Sequence, residues 1–317
     1  MRTTGKVAVF YHKADNDGMM SGVIAENYLI PRSESVDLIP IDYGEDFEAA
    51  MPHPPSDYEF IYLIDVSDMK FMTNHGSKII YIDHHKNAMD SMPKVFDRHC
   101  IDGVAACRLA FDYLTQAPNH VWHDKEYFVT RQNSLEPLCV AMIGEYDIWD
   151  KTSLLAEKLN FGLDVNFNSC KYFFNQTKGI LVCNKSDDVH VIAPDSDILG
   201  SCRDVGFFLY LINKGEGVLN YIKQTGDRVK PTPFTLNGLR GVYFNTHIKS
   251  SLIYQLKDDE DFIMVWNYTK DVVKASFYSN KIDASELARM FNGNGHRGAA
   301  GCRMSLGMLL DTIKPQM

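Results

Sequence analysis

The 317-residue sequence predicts an α/β protein: an N-terminal, mainly parallel sheet flanked by helices, then a smaller C-terminal α/β domain with a mixed sheet. Three observations carry this. Short apolar runs recur at residues 7–11, 36–41, 60–64 and 79–82, with helical stretches between them. The first, third and fourth runs end in acids or histidines, as strands do when a parallel sheet presents functional side chains along one edge. The chain is also longer than one core usually holds, and a second α/β pattern begins after Pro231 and Pro233. The expected division is a domain over 1–190, a helical connector over 191–232 and a second domain over 233–317.

Each element has a local reason. Residues 7–11 form a β-rich run that ends in His12-Lys13-Ala14-Asp15-Asn16-Asp17-Gly18, and 19–29 then reads as a helix. Asp15, Asn16 and Asp17 are helix N-cap types, yet capping explains one acid and not a histidine with two acids around a glycine. Residues 36–41 are the second strand, followed by a proline-rich loop at 51–56. The third, 60–64, stops at Asp65-Val66-Ser67-Asp68, and the fourth, 79–82, at Asp83-His84-His85. Asp102-Gly103 opens an amphipathic helix through 114. A helix over 135–146 ends in Asp147-Ile148-Trp149-Asp150. A further helix over 151–163 is broken by the turn-prone Asp164, Asn166 and Asn168.

Residues 180–192 accommodate either two short strands or an irregular connection. Residues 204–224 read as the connecting helix, interrupted by Gly215 and Gly217. In the second domain, 239–245, 262–267 and 272–278 read as strands, and 250–257 and 284–291 as helices. Gly293-Asn294-Gly295-His296-Arg297-Gly298-Ala299-Ala300-Gly301 follows as a glycine-rich loop.

Composition narrows the class. Apolar content of 45% and charged content of 23% are those of a soluble globular protein. A formal net charge of −9, from 41 acidic and 32 basic residues, argues against stable binding to duplex DNA. Seven scattered cysteines with no Cys-x-x-Cys pair read as reduced thiols. With no signal-peptide pattern and no run near the ~20 apolar residues needed to span a bilayer, the expected location is cytoplasmic, with no membrane partner.

The strand-end residues His12, Asp15, Asp17, Asp65, Asp83, His84 and His85, with Asp147 from a helix end, form a carboxylate and imidazole set. Such a set suits Mn²⁺ or another borderline divalent ion better than a thiolate site would. So many anions need cations among them. Two ions ~3.5–4 Å apart, bridged by a carboxylate, would satisfy the inventory and suit phosphoryl chemistry.

These residues resemble the DHH phosphoesterase superfamily. His12 to Gly18, Asp65, Asp83-His84-His85 and Asp147 look like its four N-terminal motifs, and 293–301 resembles the glycine-rich signature of its associated C-terminal domain. The nearest look is to the nanoRNA and phosphoadenosine-phosphate phosphatase branch. The resemblance implies a two-metal phosphohydrolase acting on short oligonucleotides or small nucleotides, with Mn²⁺ expected and Mg²⁺ or Co²⁺ as alternatives. His12 and Asp15 would hold one ion, and Asp17, His84 and Asp147 the other, with Asp65 bridging. His85 would face the scissile phosphate, with Asp83 orienting the histidines from behind. Gly293, Gly295, His296 and Arg297 would hold a substrate phosphate. Cyclic-dinucleotide hydrolysis, single-strand exonuclease and exopolyphosphatase activities stay open, as does a nucleotide-binding sensor without turnover. Self-association as a homodimer is left open too.

The chain departs from that pattern in places. The His12 to Asp15 spacing is one residue shorter than in the nanoRNA branch, and Asn294 stands for a glycine. Tyr278 stands where many relatives carry an arginine able to grip phosphate with two hydrogen bonds. A tyrosine there could stack on a base. Arg108, one turn into its helix, is a further phosphate candidate. Asp42 and Asp68 read as surface acids. His53, His75, His99, His120, His123, His190 and His247 read as solvated or locally bonded.

Overall fold

Side-by-side pairing of the apolar runs builds the N-terminal half. The computed structural model describes residues 5–115, 136–148, 154–165, 170–171, 174, 181–185, 188–192, 201–248, 251–269 and 271–314. The chain divides into two compact units, Met1–Gly215 and Glu216–Met317. In the first, β1 (Lys6–His12), β2 (Ser35–Ile41), β3 (Phe60–Ile64), β4 (Ile79–Asp83) and β5 (Asp97–Cys100) form one parallel sheet in the order β2-β1-β3-β4-β5. A parallel sheet is covered on both faces, so its central strands read as unbroken apolar runs. Phe10, Leu63 and Tyr81 pack with Phe47 and Phe71 on one face. Val9, Tyr62, Ile80 and Ile82 pack with Leu29 and Leu109 on the other.

The helices between are α1 (Asn16–Leu29), α2 (Phe47–Ala50), α3 (Met69–His75), α4 (Lys86–Ser91) and α5 (Ala106–Thr115). Beyond them lie β6 (Glu136–Pro137), α6 (Leu138–Asp147), α7 (Leu154–Asp164), β7 (Leu181–Lys185), β8 (Asp188–Ile192) and α8 (Ser201–Gly226). The ambiguous 180–192 stretch is therefore two strands, joined to β6 in a small antiparallel sheet. The helix read over 204–224 is present as the longer α8, and the division between units falls within it. Asp150, Asn166, Asn168, His120 and His123 lie outside the described residues.

The second unit holds β9 (Thr232–Leu236), β10 (Leu239–Asn245), β11 (Phe262–Thr269), β12 (Val272–Tyr278), α9 (Ala284–Arg289), β13 (Asn294–Gly295), β14 (Ala299–Met304) and α10 (Leu306–Ile313). Its six strands run in the order β13-β14-β12-β11-β10-β9, and the sheet is mixed because β10 and β11 are parallel while the other pairs are antiparallel. Phe262, Met264, Ala275 and Phe277 pack with Leu287 and Leu309 on one face.

Three sequence readings change here. The helix expected over 250–257 is a single 3₁₀ turn, Ser251–Ile253. Glu260 closes the segment into a loop instead, accepting from Tyr254 Oη at 3.0 Å and Lys257 N at 2.9 Å. Among the strands that escape the sequence reading, β5 and β9 are edges: charged β5 and proline-containing β9 break the apolar pattern that marks a central strand. The glycine-rich loop is a hairpin, closed by His296 N to Ala299 O (2.8 Å) and Ala299 N to His296 O (3.2 Å).

Helix α7 positions part of the site, and it is held by a close crossing with α8. A Cβ on Gly162 would lie 2.1 Å from Leu211 O, and one on Gly215 would lie 1.7 Å from Lys158 O. Gly162→Ala should therefore destabilise by about 1–3 kcal/mol through overpacking, read as a fall of several degrees in Tm. Gly217→Ala, on an exposed stretch of α8 with nothing within 4 Å of the added carbon, should raise Tm slightly through helix propensity. Equal effects of the two substitutions in thermal denaturation would contradict this crossing.

Candidate metal centre

The centre begins where β1 ends. His12 is the last residue of the strand, opposite Ile41 of β2. The chain then turns at once into α1, with Asp15 as N-cap accepting from Gly18 N at 2.9 Å. Gly18 makes this tight entry possible, since a Cβ there would sit 2.2 Å from His12 O. One short turn thus brings together His12, Asp15 and Asp17. His12 Nδ1 lies 2.7 Å from Asp15 Oδ2. Asp17 is 1% exposed and points the other way, its two oxygens accepting from Ala106 N and Cys107 N at 2.8 Å each, at the start of α5.

Asp65 follows β3 with φ of +61°, in the left-handed region that a non-glycine residue enters at a cost of about 1–3 kcal/mol. That backbone strain accompanies a carboxylate that is 1% exposed and faces three histidines, His12, His84 and His85. Asp65 Oδ2 lies 3.7 Å from His12 Nδ1, and Oδ1 lies 3.4 Å from His84 Nε2. His84 Nε2 also lies 3.6 Å from Asp17 Oδ2 and 3.3 Å from Asp147 Oδ2, the latter carried in by the last residue of α6.

Asp83 ends β4 fully buried and organises the turn after it. Its Oδ1 accepts from His84 N (2.6 Å), His85 N (3.1 Å) and the His85 ring at Nδ1 (2.7 Å), while Tyr81 Oη donates to Oδ2. Burial pushes its carboxyl up, but the His85 and His84 charges and these donors pull it well below the usual carboxylate range. The His85 imidazole, lowered by burial and raised more strongly by Asp83, is held at about 9.

Among the groups whose donor atoms lie within 4.8 Å of one another, Asp65, Asp83, His84 and His85 form one, and two others share no residue: His12, Asp15 and Asp65, and Asp17, His84 and Asp147. Asp65 faces both, one oxygen to each. Burial drives the Asp17 carboxyl up to about 7, with repulsion from Asp65 adding to it. Asp147 is raised well above its ordinary value by burial and then by Asp17 and Asp65. Asp65 Oδ1 is buried and has no hydrogen-bond partner among the described residues. Burial alone would depress His12, yet the Asp15 and Asp65 carboxylates beside it raise it to about 11. Protons held on these histidines and carboxylates offset one another's charge, and divalent ions bound by oxygen and imidazole donors would fit in their place.

Two supports escaped the sequence reading. Asp42, read as a surface acid, sits just past β2 with Oδ1 3.2 Å from His12 Nε2. The rule that flagged Asp65 and Asp83, an acid at a strand's C-terminal end, would have flagged it too. Asn16 anchors the first turn to α7, donating from Nδ2 to Asn160 Oδ1 (2.9 Å) and Asp164 Oδ1 (2.7 Å).

The remaining candidates are carried by other elements. Arg108 sits in α5 with its aliphatic stem against Gly144 of α6. Gly293, Gly295, His296, Arg297 and Tyr278 belong to the second unit. Gly293 N donates to Ala288 O at 2.8 Å, and Gly295, at φ +145°, lets β13 approach Ala300, where a Cβ would fall 2.5 Å from Cα. Arg297 and Gly298 form the tip of the hairpin. Tyr278, 7% exposed, ends β12 beside that hairpin, and burial raises its phenol to about 12. Asp68 caps α3. His75 pairs with Glu48, and His99 lies buried 3.2 Å from Asp112, outside both ligand groups.

No family model and no curated protein matches the chain. Among solved structures, the DHH domain of a protein belonging to a family of ribosomal proteins is 13% identical, over 98% of this chain and 85% of that one, with a TM-score of 0.54. An exopolyphosphatase-related protein from Bacteroides fragilis is 15% identical over 97% and 90%, at 0.43. A pGpG-specific phosphodiesterase from Vibrio cholerae is 11% identical over 96% and 95%, at 0.41. Of these three, the DHH domain alone is similar enough to bear on the fold. The chain has the fold of a DHH domain.

Proposed function

We propose that this protein is a member of the DHH phosphoesterase superfamily: a two-metal, Mn²⁺-dependent phosphohydrolase cleaving ester bonds of short oligonucleotides or small nucleotides. The observation that carries this is Asp65, one carboxylate turned toward two separate ligand groups. Divalent ions held there would supply Lewis acidity and nucleophile activation at neutral pH. The protein's own part is positioning and proton handling. Asp83 ties down Nδ1 of His85, which would leave the other ring nitrogen for a phosphate oxygen or the leaving group. Asp17 is buried and Asp147 half-buried, so the electrostatic interactions between them and a bound ion would be little screened by water.

The choice of substrate rests on the acidic net charge, which disfavours long polyanions, and on the hairpin bearing His296 and Arg297 as a phosphate-holding element. Within the superfamily the motif pattern sits nearest the nanoRNA branch. Free thiols at Cys100, Cys107, Cys139, Cys170 and Cys302 support a cytoplasmic location. No helix among the described residues is long and apolar enough to cross a membrane.

Metal binding should reverse the pH dependence of stability. Asp17, Asp147 and the three histidines all have folded-state values above their ordinary ones, so each contributes stability present at low pH and lost as pH rises. For the two aspartates the loss begins near pH 4 and continues through about 7 for Asp17. The metal-free protein should therefore lose Tm between pH 5 and 8. Saturating Mn²⁺, which competes with protons for the same groups, should raise Tm more at pH 8 than at pH 6. A Mn²⁺ effect that is absent, or larger at pH 6, would contradict the reading.

Turnover separates the two histidines. With Mn²⁺ and a panel of dinucleotides, longer RNA and DNA, phosphoadenosine phosphate, cyclic dinucleotides and polyphosphate, hydrolysis should be fastest on the short nucleotides. His85→Ala should lower kcat about 10²–10⁴-fold with Mn²⁺ binding retained, whereas His84→Ala should lose both an ion and turnover. Unchanged turnover in His84→Ala would sink the assignment. Activity on long strands alone would overturn the substrate, and binding without hydrolysis across the panel would favour a sensor.

A further inference from the structure

We propose that Asp42 is a positioning residue for His12, setting which ring nitrogen meets the metal and thereby the affinity for one of two ions. This rests on the two-ion reading above. His12 Nε2 is 3.2 Å from Asp42 Oδ1, while Nδ1, on the opposite side of the ring, is 2.7 Å from Asp15 Oδ2 and 3.7 Å from Asp65 Oδ2. With the Nε2 proton on the Asp42 side, the Nδ1 lone pair is the one left to face the ligand group when an ion binds. A carboxylate behind a ligating histidine also strengthens it as a donor.

The loop carrying Asp42 is built to hold this oxygen still. Asp42 Oδ1 also accepts from Tyr43 N at 2.8 Å. Glu45 closes the turn twice over, its N donating to Asp42 O at 3.2 Å and its carboxylate accepting from Asp42 N at 3.2 Å. Lys13 then ties the loop to the end of β1, its ammonium 2.7 Å from Glu45 and its N–H 3.0 Å from Ile41 O. The Tyr43 ring meets His12 edge-on at 5.2 Å between centroids, and meets His85 edge-on at 6.4 Å. The imidazole is therefore clamped by a hydrogen bond along its edge and an aromatic ring at its side. Nothing in the closure of the loop requires His12, so the Asp42–His12 contact serves the histidine.

Calorimetric titration of the full chain with Mn²⁺ tests this. Wild type should bind two ions. Asp42→Ala should weaken one of them about 10–100-fold and leave the other, on Asp17, His84 and Asp147, unchanged. Asp42→Asn, whose amide oxygen can accept the same two N–H groups, should fall between and guards against loss through local misfolding. In the protein loaded with diamagnetic Mg²⁺, the ¹⁵N spectrum of the His12 ring should show a protonated Nε2 in wild type and a mixture of tautomers in Asp42→Ala. Wild-type affinity for both ions in Asp42→Ala, or equal weakening of both in Asp42→Asn, would overturn the proposal. A wild type that binds no Mn²⁺ would overturn the two-ion reading and this inference with it.

Discussion

Everything at this sheet edge answers to one constraint: three aspartates, two of them buried and one half-buried, are gathered around one buried histidine. Asp17, Asp65 and Asp147 converge on His84 Nε2 within 3.3–3.6 Å. Carboxylates left uncompensated in such a place would protonate or force the edge open. The fold meets part of the demand with its own donors. Asp17 takes two backbone N–H groups from the start of α5, and Asp83 takes two N–H groups, a ring nitrogen and a phenol. The Oδ1 atom of Asp65 has no such donor among the described residues, and its charge calls for a cation.

The parallel sheet makes this convergence geometrically cheap. Neighbouring parallel strands finish side by side, so residues far apart in the chain arrive along one edge. Local devices then aim the side chains. A glycine lets α1 begin directly against His12, a left-handed backbone turns Asp65 inward, and Asn16 secures the first turn to α7. Each device departs from ordinary local preference, which is what functional edges do when the surrounding fold can sustain the strain.

The strands that carry the site were legible because they are buried on both faces, and burial leaves an unbroken apolar signature. The acids and histidines that follow them were legible for the same reason, as the points where the signature stops. What could not be read is what depends on pairing across the chain. Asp42 ends a strand as Asp65 and Asp83 do, but its partner shows only once β2 lies beside β1 and sets it against a histidine thirty positions away. The left-handed turn at Asp65 has no sequence mark, since aspartate enters that conformation only occasionally and glycine is its usual bearer. In the second unit, the glycines of 293–301 suggested an anion-cradling loop. Part of their work is steric, because Gly293 and Gly295 let the hairpin backbones approach more closely than any side chain would allow.

The central claim is that Asp65 bridges two ions. Crystals grown with Mn²⁺ and measured at the manganese absorption edge test it most directly. Two anomalous peaks ~3.5–4 Å apart, one beside His12 and Asp15 and one beside Asp17, His84 and Asp147, each in contact with a different Asp65 oxygen, are what the account predicts. A single peak touching only one group, or none at this edge of the sheet, would contradict it.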